Sequence, residues 1–246
     1  MNALPEQLTY LKLGFMHAHH AELAADAARQ RWPHADYLAR LVEGEVQARR
    51  LRAVERRIRQ ARFPVIKSLD QFRWDWPKKI NEAQVKRLFA LGFIENKTNV
   101  IFLGSVGLGK THLSVALGLA ACQADHSVLF TTAVDAVNNL AAAHAACRLK
   151  QELAKYASPT VLIIDEVGYI PMDKMGADLF FQMVSQRHER SSTILTSNLA
   201  YKKWPSVFNN DSNLTSAILD RLLGQAETVV IEGNSYRTRE RIDSPP

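Results

Sequence analysis

One stretch constrains this chain more than any other, Gly104-Ser105-Val106-Gly107-Leu108-Gly109-Lys110-Thr111. It fits the pattern G-x-x-x-x-G-K-[ST]. The apolar run Val100-Ile101-Phe102-Leu103 before it reads as a buried strand, and the run from His112 to Ala120 after it reads as a helix. Strand, glycine turn and helix together are the context in which this pattern is a phosphate-binding loop rather than a plain connection. Glycines let backbone N–H groups turn inward onto a polyphosphate, and the helix N-terminus adds its positive end. Residues 104–112, from Gly104 through Lys110 and Thr111 to His112, are the candidate ATP contacts. Lys110 is placed to reach the β- and γ-phosphates, and the Thr111 hydroxyl to hold Mg²⁺.

Behind this loop, apolar runs alternate with helical patterns. Ser127 to Thr132 reads as a strand and Ala133 to about Lys155 as one helix. The run Thr160-Val161-Leu162-Ile163-Ile164 is a strand that ends in Asp165-Glu166. Leu179 to His188 reads as a helix, Ser192 to Asn198 as a strand, Asn213 to Leu223 as a helix and Glu227 to Glu232 as the last strand. This alternation predicts a parallel sheet wrapped by helices. Ligands in such sheets bind beyond the carboxyl ends of the strands. Asp165 is therefore a candidate Mg²⁺ ligand, and Glu166 a candidate general base for an attacking water. Asn198 ends a strand and is a candidate partner of the γ-phosphate or that water. Arg221, a lone cation in Leu219-Asp220-Arg221-Leu222-Leu223, either pairs with Asp220 or reaches a neighbouring subunit's nucleotide as an arginine finger.

The charge is uneven along the chain. Residues 1–90 hold 17 Lys and Arg against 10 Asp and Glu, while residues 91–246 hold 14 against 15. The basic surplus lies before the loop, which suggests a nucleic-acid-facing extension on a near-neutral core. Residues 4–32 read as helical, with Gly14 as a kink or a stop. A longer helix is predicted from about His34 to Arg62, where Pro64 follows. Between Arg49 and Arg62 stand seven arginines and one acid, Glu55. Arg49, Arg52, Arg56 and Arg59 share one helical face, an arrangement able to neutralise phosphates of double-stranded DNA. His17, His19 and His20 lack a Cys or carboxylate at zinc-ligand spacing and read as a solvated face.

Phe72, Trp74 and Trp76 alternate in the segment Ser68 to Lys79. They read as an anchor docking this linker on the next domain in preference to a base-stacking platform. A short helix is expected from Asn81 to Phe93. The domain boundary is expected near Pro77, giving 1–76 as a basic helical domain with its linker and 77–246 as the ATPase domain. Cys122 and Cys147 show no C-x-x-C spacing and are expected to be reduced and buried. No secretory signal and no membrane-length apolar run is evident, so a cytoplasmic location and no membrane partner are expected.

The order of Walker A, Asp-Glu Walker B, a strand-ending asparagine and a late Asp-Arg helix resembles the AAA+ ATPases, in the branch of replication initiators and helicase loaders. Within that branch the chain is most similar to the IstB-type helper ATPases of insertion-sequence transposition. The residues that carry the likeness are Arg62-Phe63-Pro64, Phe93-Ile94-Glu95, Gly109-Lys110-Thr111-His112-Leu113, Leu129-Phe130-Thr131-Thr132, Ile164-Asp165-Glu166-Val167-Gly168-Tyr169, Thr196-Ser197-Asn198, Leu219-Asp220-Arg221-Leu222-Leu223 and Ser235-Tyr236-Arg237. The resemblance implies an α/β AAA+ P-loop NTPase core with helices on both faces of a parallel sheet and no helical lid, after a small all-α N-terminal domain. It implies ATP-dependent assembly on DNA, remodelling of target DNA, stimulation of a cognate transposase, and a homo-oligomer with intersubunit ATP sites in which Arg221 acts in trans. Two departures stand out: Ser105-Val106-Gly107 lacks the proline the family often has before that glycine, and the expected lack of a lid leaves Arg237 or Arg239 as the remaining candidates for a nucleotide-sensing arginine. The alternatives are a loader of a replicative helicase and a nucleotide-dependent adaptor with little hydrolysis.

Overall fold

The computed structural model describes residues 3–236, and the chain divides into two compact units between Arg56 and Arg57. The first unit is helical. Helix α1 (Ala3–Tyr10) and helix α2 (Gly14–Gln30) are separate, with Lys12 in a left-handed conformation between them. Gly14 thus opens the second helix. Helix α3 (His34–Ala61) is long and begins directly after Trp32-Pro33. Inside this unit Glu45 of α3 is buried and its Oε2 accepts the N–H groups of Phe15 and Met16 at 2.8 and 3.3 Å. It caps α2 from another helix, because Leu13 at the N-cap offers no side-chain acceptor.

The second unit starts earlier than the expected boundary near Pro77. Ala61 and Phe72 are buried in its core, and Arg57 bonds the Cys122 carbonyl at 3.2 Å and pairs with Asp125. Residues 57–76 therefore pack with the nucleotide-loop unit. The expected helix from Asn81 to Phe93 is two pieces, α4 (Glu82–Leu88) and α5 (Gly92–Glu95), divided at Leu91 with φ 62°.

Five parallel strands follow: β1 (Asn99–Gly104), β2 (Val128–Thr132), β3 (Val161–Val167), β4 (Ser192–Ser197) and β5 (Ala226–Ile231), in the order β2-β3-β4-β1-β5. Period-two alternation sends their side chains to two cores. Val100, Phe102, Ile163 and Ile194 pack with helix α6 (Lys110–Gln123), α4 and α5 on one face. Ile101, Leu103, Leu162, Ile164 and Leu195 pack on the other. That second face is covered by α7 (Ala133–Ala145), α8 (Leu149–Ala157), α9 (Lys174–Arg187) and α10 (Ser212–Leu223).

The helix expected from Ala133 to Lys155 is broken in two at Cys147, whose φ is 55°. Both cysteines are free and Cys122 is buried, as expected, but Cys147 is exposed at that corner, which corrects the expectation for Cys147. Helix α9 begins five residues before Leu179, because the Asp173 carboxylate caps it by accepting the Gly176 N–H at 2.7 Å. No α-helix follows β5 among the described residues, and Arg237 and Arg239 lie outside them. No described helix is long and apolar enough to cross a membrane.

Candidate nucleotide site

Strand β1 delivers Gly104 to the carboxyl end of the sheet, and the loop turns into α6 through Gly107 (φ 80°) and Gly109 (φ 84°). Gly109 is the N-cap of α6 and makes no side-chain cap bond. Its left-handed backbone and the ring of Phe72 beneath it both exclude a side chain: a Cβ there would come within 2.6 Å of Phe72 Cε2. The Lys110 ammonium folds onto the loop and donates to the carbonyls of Gly104 and Ser105 at 2.7 and 2.8 Å.

The aromatic linker is an anchor, as its pattern predicts. Phe72 is buried, meets Trp74 edge-on at 4.9 Å and His112 edge-on at 5.4 Å. Trp76 donates its indole N–H to the Asn234 carbonyl at 3.0 Å and stands edge-on to Tyr236 at 5.5 Å. The Tyr236 N–H in turn bonds the Gly107 carbonyl at 2.9 Å. The loop is thus supported by the linker before it and by the segment after β5. His112 uses its Nε2–H on the Ser68 carbonyl at 2.8 Å, so its side chain serves the linker.

At the end of β3 the two acids part. Asp165 is 4% exposed, and the Thr111 hydroxyl lies 3.0 and 2.9 Å from its two oxygens. A carboxylate and a hydroxyl in this position are hard oxygen donors, a set that fits Mg²⁺ beside a phosphate. Glu166 is exposed and has φ 61°, a left-handed conformation that costs energy in a residue with a Cβ. The β3–β4 register shifts between Ile164 and Val167, so this residue sits on a bulge. The Glu166 N–H is taken up by Thr196 Oγ1 at 2.9 Å, and the same hydroxyl donates to Asp165 Oδ1 at 2.5 Å. Thr196 was not singled out from the sequence as a site residue. Its signals in the sequence are a polar residue inside the β4 run, two positions before Asn198, and a place in the Thr196-Ser197-Asn198 motif.

Asn198 follows the end of β4 and is partly exposed at the same edge of the sheet. Arg221 is elsewhere. Its guanidinium lies over the Phe181 ring at 4.6 Å and donates to the Ala217 carbonyl at 3.0 Å. No ion pair joins it to Asp220 among the described residues. Its neighbour Leu222 accepts the Asn99 Nδ2–H at 3.0 Å, which puts this end of α10 where β1 begins. Gly104 stands at the other end of that strand, about 17 Å away at the usual rise per residue. Arg221 and the loop of the same chain are therefore at opposite ends of the sheet.

In the first unit, Glu45 Oε1 receives Arg49 Nε at 3.4 Å and Arg52 Nη2 at 3.0 Å. Burial alone would push the Glu45 carboxyl up. The N–H groups of Met16 and Phe15, the Arg49 guanidinium and the Arg52 charge outweigh it and hold this group below its ordinary value. Two of the four arginines on the candidate DNA face thus already face an acid. Arg56 and Arg59 are exposed and make no ion pair among the described residues. The three histidines near residue 17 form no metal-binding group, and none occurs among the described residues.

The family model for IstB-like ATP binding proteins matches residues 6–244. The chain is 39% identical over 241 residues to the protein of insertion sequence IS21 from Pseudomonas aeruginosa that is named for ATP binding, covering 98% of this chain and 91% of that one. It is 37% identical over 237 residues to the corresponding protein of IS232 from Bacillus thuringiensis subsp. berliner, covering 96% and 94%. Among solved structures it is similar to AMPPCP-bound DnaA from Aquifex aeolicus, with a TM-score of 0.58, 21% identity and coverage of 73% of this chain and 54% of that one. The DnaC helicase loader gives a TM-score of 0.55 at 19% identity, covering 67% and 96%. These two likenesses establish the shared AAA+ P-loop fold. Nucleotide loop, sheet order and near-full-length relatives agree, and the chain belongs to the IstB-like ATP-binding proteins of insertion sequences.

Proposed function

We propose that this protein is a Mg²⁺-dependent ATPase that assembles on double-stranded DNA and assists the transposase of its insertion sequence. The observation that carries the ATPase reading is the meeting of Thr111, Asp165 and Glu166 at the end of β3. Thr111 and Asp165 are the groups to hold Mg²⁺, which supplies charge neutralisation at the phosphates when bound. Lys110 exchanges its loop carbonyls for β- and γ-phosphate oxygens. Glu166, exposed beside Asp165, takes the proton of the attacking water, and Asn198 orients that water or the terminal phosphate. Arg221 stabilises transition-state charge in a neighbouring copy, since its own loop is a strand's length away.

Relatives from insertion sequences at 37–39% identity favour transposition over helicase loading. The basic surplus in residues 1–90 supports DNA contact, with Arg56 and Arg59 its foremost candidates and Arg49 and Arg52 secondary ones. The test is Glu166→Gln. It should bind ATP as the parent does, hydrolyse it 10²–10⁴-fold more slowly, and leave long-lived assemblies on duplex DNA visible by electron microscopy. Undiminished turnover removes Glu166 from the base role. A DNA-free monomer in the presence of a non-hydrolysable ATP analogue overturns the assembly reading.

A further inference from the structure

We propose that Thr196 is a positioning residue that couples the metal-facing carboxylate of Asp165 to the aim of Glu166, so that the base is set only when Asp165 is in its working orientation. The inference rests on the ATPase reading above and deepens it. A threonine hydroxyl has one hydrogen and two lone pairs. At Thr196 the hydrogen goes to Asp165 Oδ1 at 2.5 Å, and a lone pair accepts the Glu166 N–H at 2.9 Å. Thr196 is 1% exposed, so its hydroxyl has little access to water that could replace either bond.

The two bonds answer two needs created by the bulge. The register shift between Ile164 and Val167 takes the Glu166 N–H out of the β3–β4 ladder, and the Thr196 hydroxyl gives this part-buried N–H its acceptor. The left-handed Glu166 backbone, φ 61°, persists only where its surroundings hold it. Thr196 supplies that hold. Its donation to Asp165 also polarises the hydroxyl oxygen that Glu166 leans on, so the two bonds strengthen each other. A carboxylate drawn toward a cation changes the first bond and through it the second. Thr111, whose hydroxyl also reaches the Asp165 carboxylate, completes a continuous path from the loop to the base: Thr111 hydroxyl, Asp165 carboxylate, Thr196 hydroxyl, Glu166 N–H.

The experiment compares full-length wild type, Thr196→Val and Thr196→Ser with Glu166→Gln as reference. ATPase rate and binding of a fluorescent non-hydrolysable ATP analogue are each titrated with Mg²⁺. Thr196→Val should bind the analogue without Mg²⁺ within twofold of wild type. It should need at least fivefold more Mg²⁺ to reach half of its binding enhancement, and hydrolyse at least tenfold more slowly at saturating Mg²⁺. Thr196→Ser, which keeps the hydroxyl, should restore both. A purely structural role would lower the melting temperature of Thr196→Val and leave its Mg²⁺ midpoint unmoved, and that result overturns the proposal. If Thr196→Val does not fold, Thr196→Ala is read in the same titrations. Wild type and Glu166→Gln with the same rate would sink the ATPase reading. The Mg²⁺ midpoint of analogue binding would still decide Thr196: a shift supports its hold on Asp165, and none overturns it.

Discussion

Phe72 stands where a side chain on Gly109 would have to be, its Cε2 2.6 Å from the Cβ that residue lacks. The linker ring and the last glycine of the nucleotide loop are therefore fitted to each other. Phe72→Ala should lower stability by about 3 kcal/mol, the usual cost of a buried phenylalanine, and weaken ATP binding by loosening the loop. Gly109→Ala should abolish binding with little rescue from Phe72→Ala, because the positive φ remains unfavourable for alanine. Thermal melts and analogue titration of the two single variants and the double variant check both statements.

Arg221 should act on another copy's nucleotide. Arg221→Ala is expected to lose about a thousandfold in turnover while binding ATP normally. Mixed with Glu166→Gln, it should recover activity, since some interfaces then combine an intact base with an intact arginine. A mixture as inactive as its components would mean that Arg221 only packs on Phe181.

The N-terminal unit should loosen in acid because of Glu45. Its folded pKa lies below the unfolded one, so its contribution is present above about pH 4.3 and is lost as pH falls through the folded value. Glu45→Gln should remove about 2 kcal/mol and abolish that pH dependence. Hydrogen exchange in α1 and α2 of the full chain, measured across this range, reads the effect.

The candidate DNA face should divide into two pairs. Replacing Arg56 and Arg59 by alanine should reduce the salt slope of duplex binding by about two, near 0.9 for each phosphate contact. Replacing Arg49 and Arg52 should change the slope less and raise hydrogen exchange at the start of α2, because these side chains also hold Glu45. Equal slopes in both variants would remove this distinction.

Arg187 is 2% exposed and its fork is filled by carbonyls: Nη1 donates to Tyr156 and Pro159 at 2.7 and 2.9 Å, and Nη2 to Ser192 at 2.6 Å. Burial pushes its pKa down to about 9, and it stays charged at neutral pH. Arg187→Met should cost at least about 3 kcal/mol through unpaired buried carbonyls. Arg187→Lys should not restore stability, since an ammonium cannot serve three directions in one plane. Denaturant melts of both variants test this.

Sequence patterns carried the strands, the loop and its two acids because these depend on neighbours. Apolar alternation declares a buried strand, glycine spacing declares a phosphate turn, and an acid after an apolar run declares a strand end. The same local logic failed at Ala133–Lys155, where the helical pattern runs on but Cys147 turns left-handed and divides it. It also read Arg49 and Arg52 as one free face with Arg56 and Arg59, since nothing near them announces that Glu45 is buried against α2.

By itself, then, the sequence determined that this chain builds a P-loop sheet with Lys110, Thr111, Asp165 and Glu166 at its carboxyl end. Only the tertiary structure decided that Thr196, thirty-one residues from Asp165, bonds the Asp165 carboxylate and the Glu166 N–H, that Phe72 seats Gly109, and that Arg221 lies at the far end of the sheet from its own loop. The reason is physical. A local pattern encodes which face of an element is buried, whereas a hydroxyl's partner or a glycine's neighbour is set by strand register and packing between segments distant in the chain.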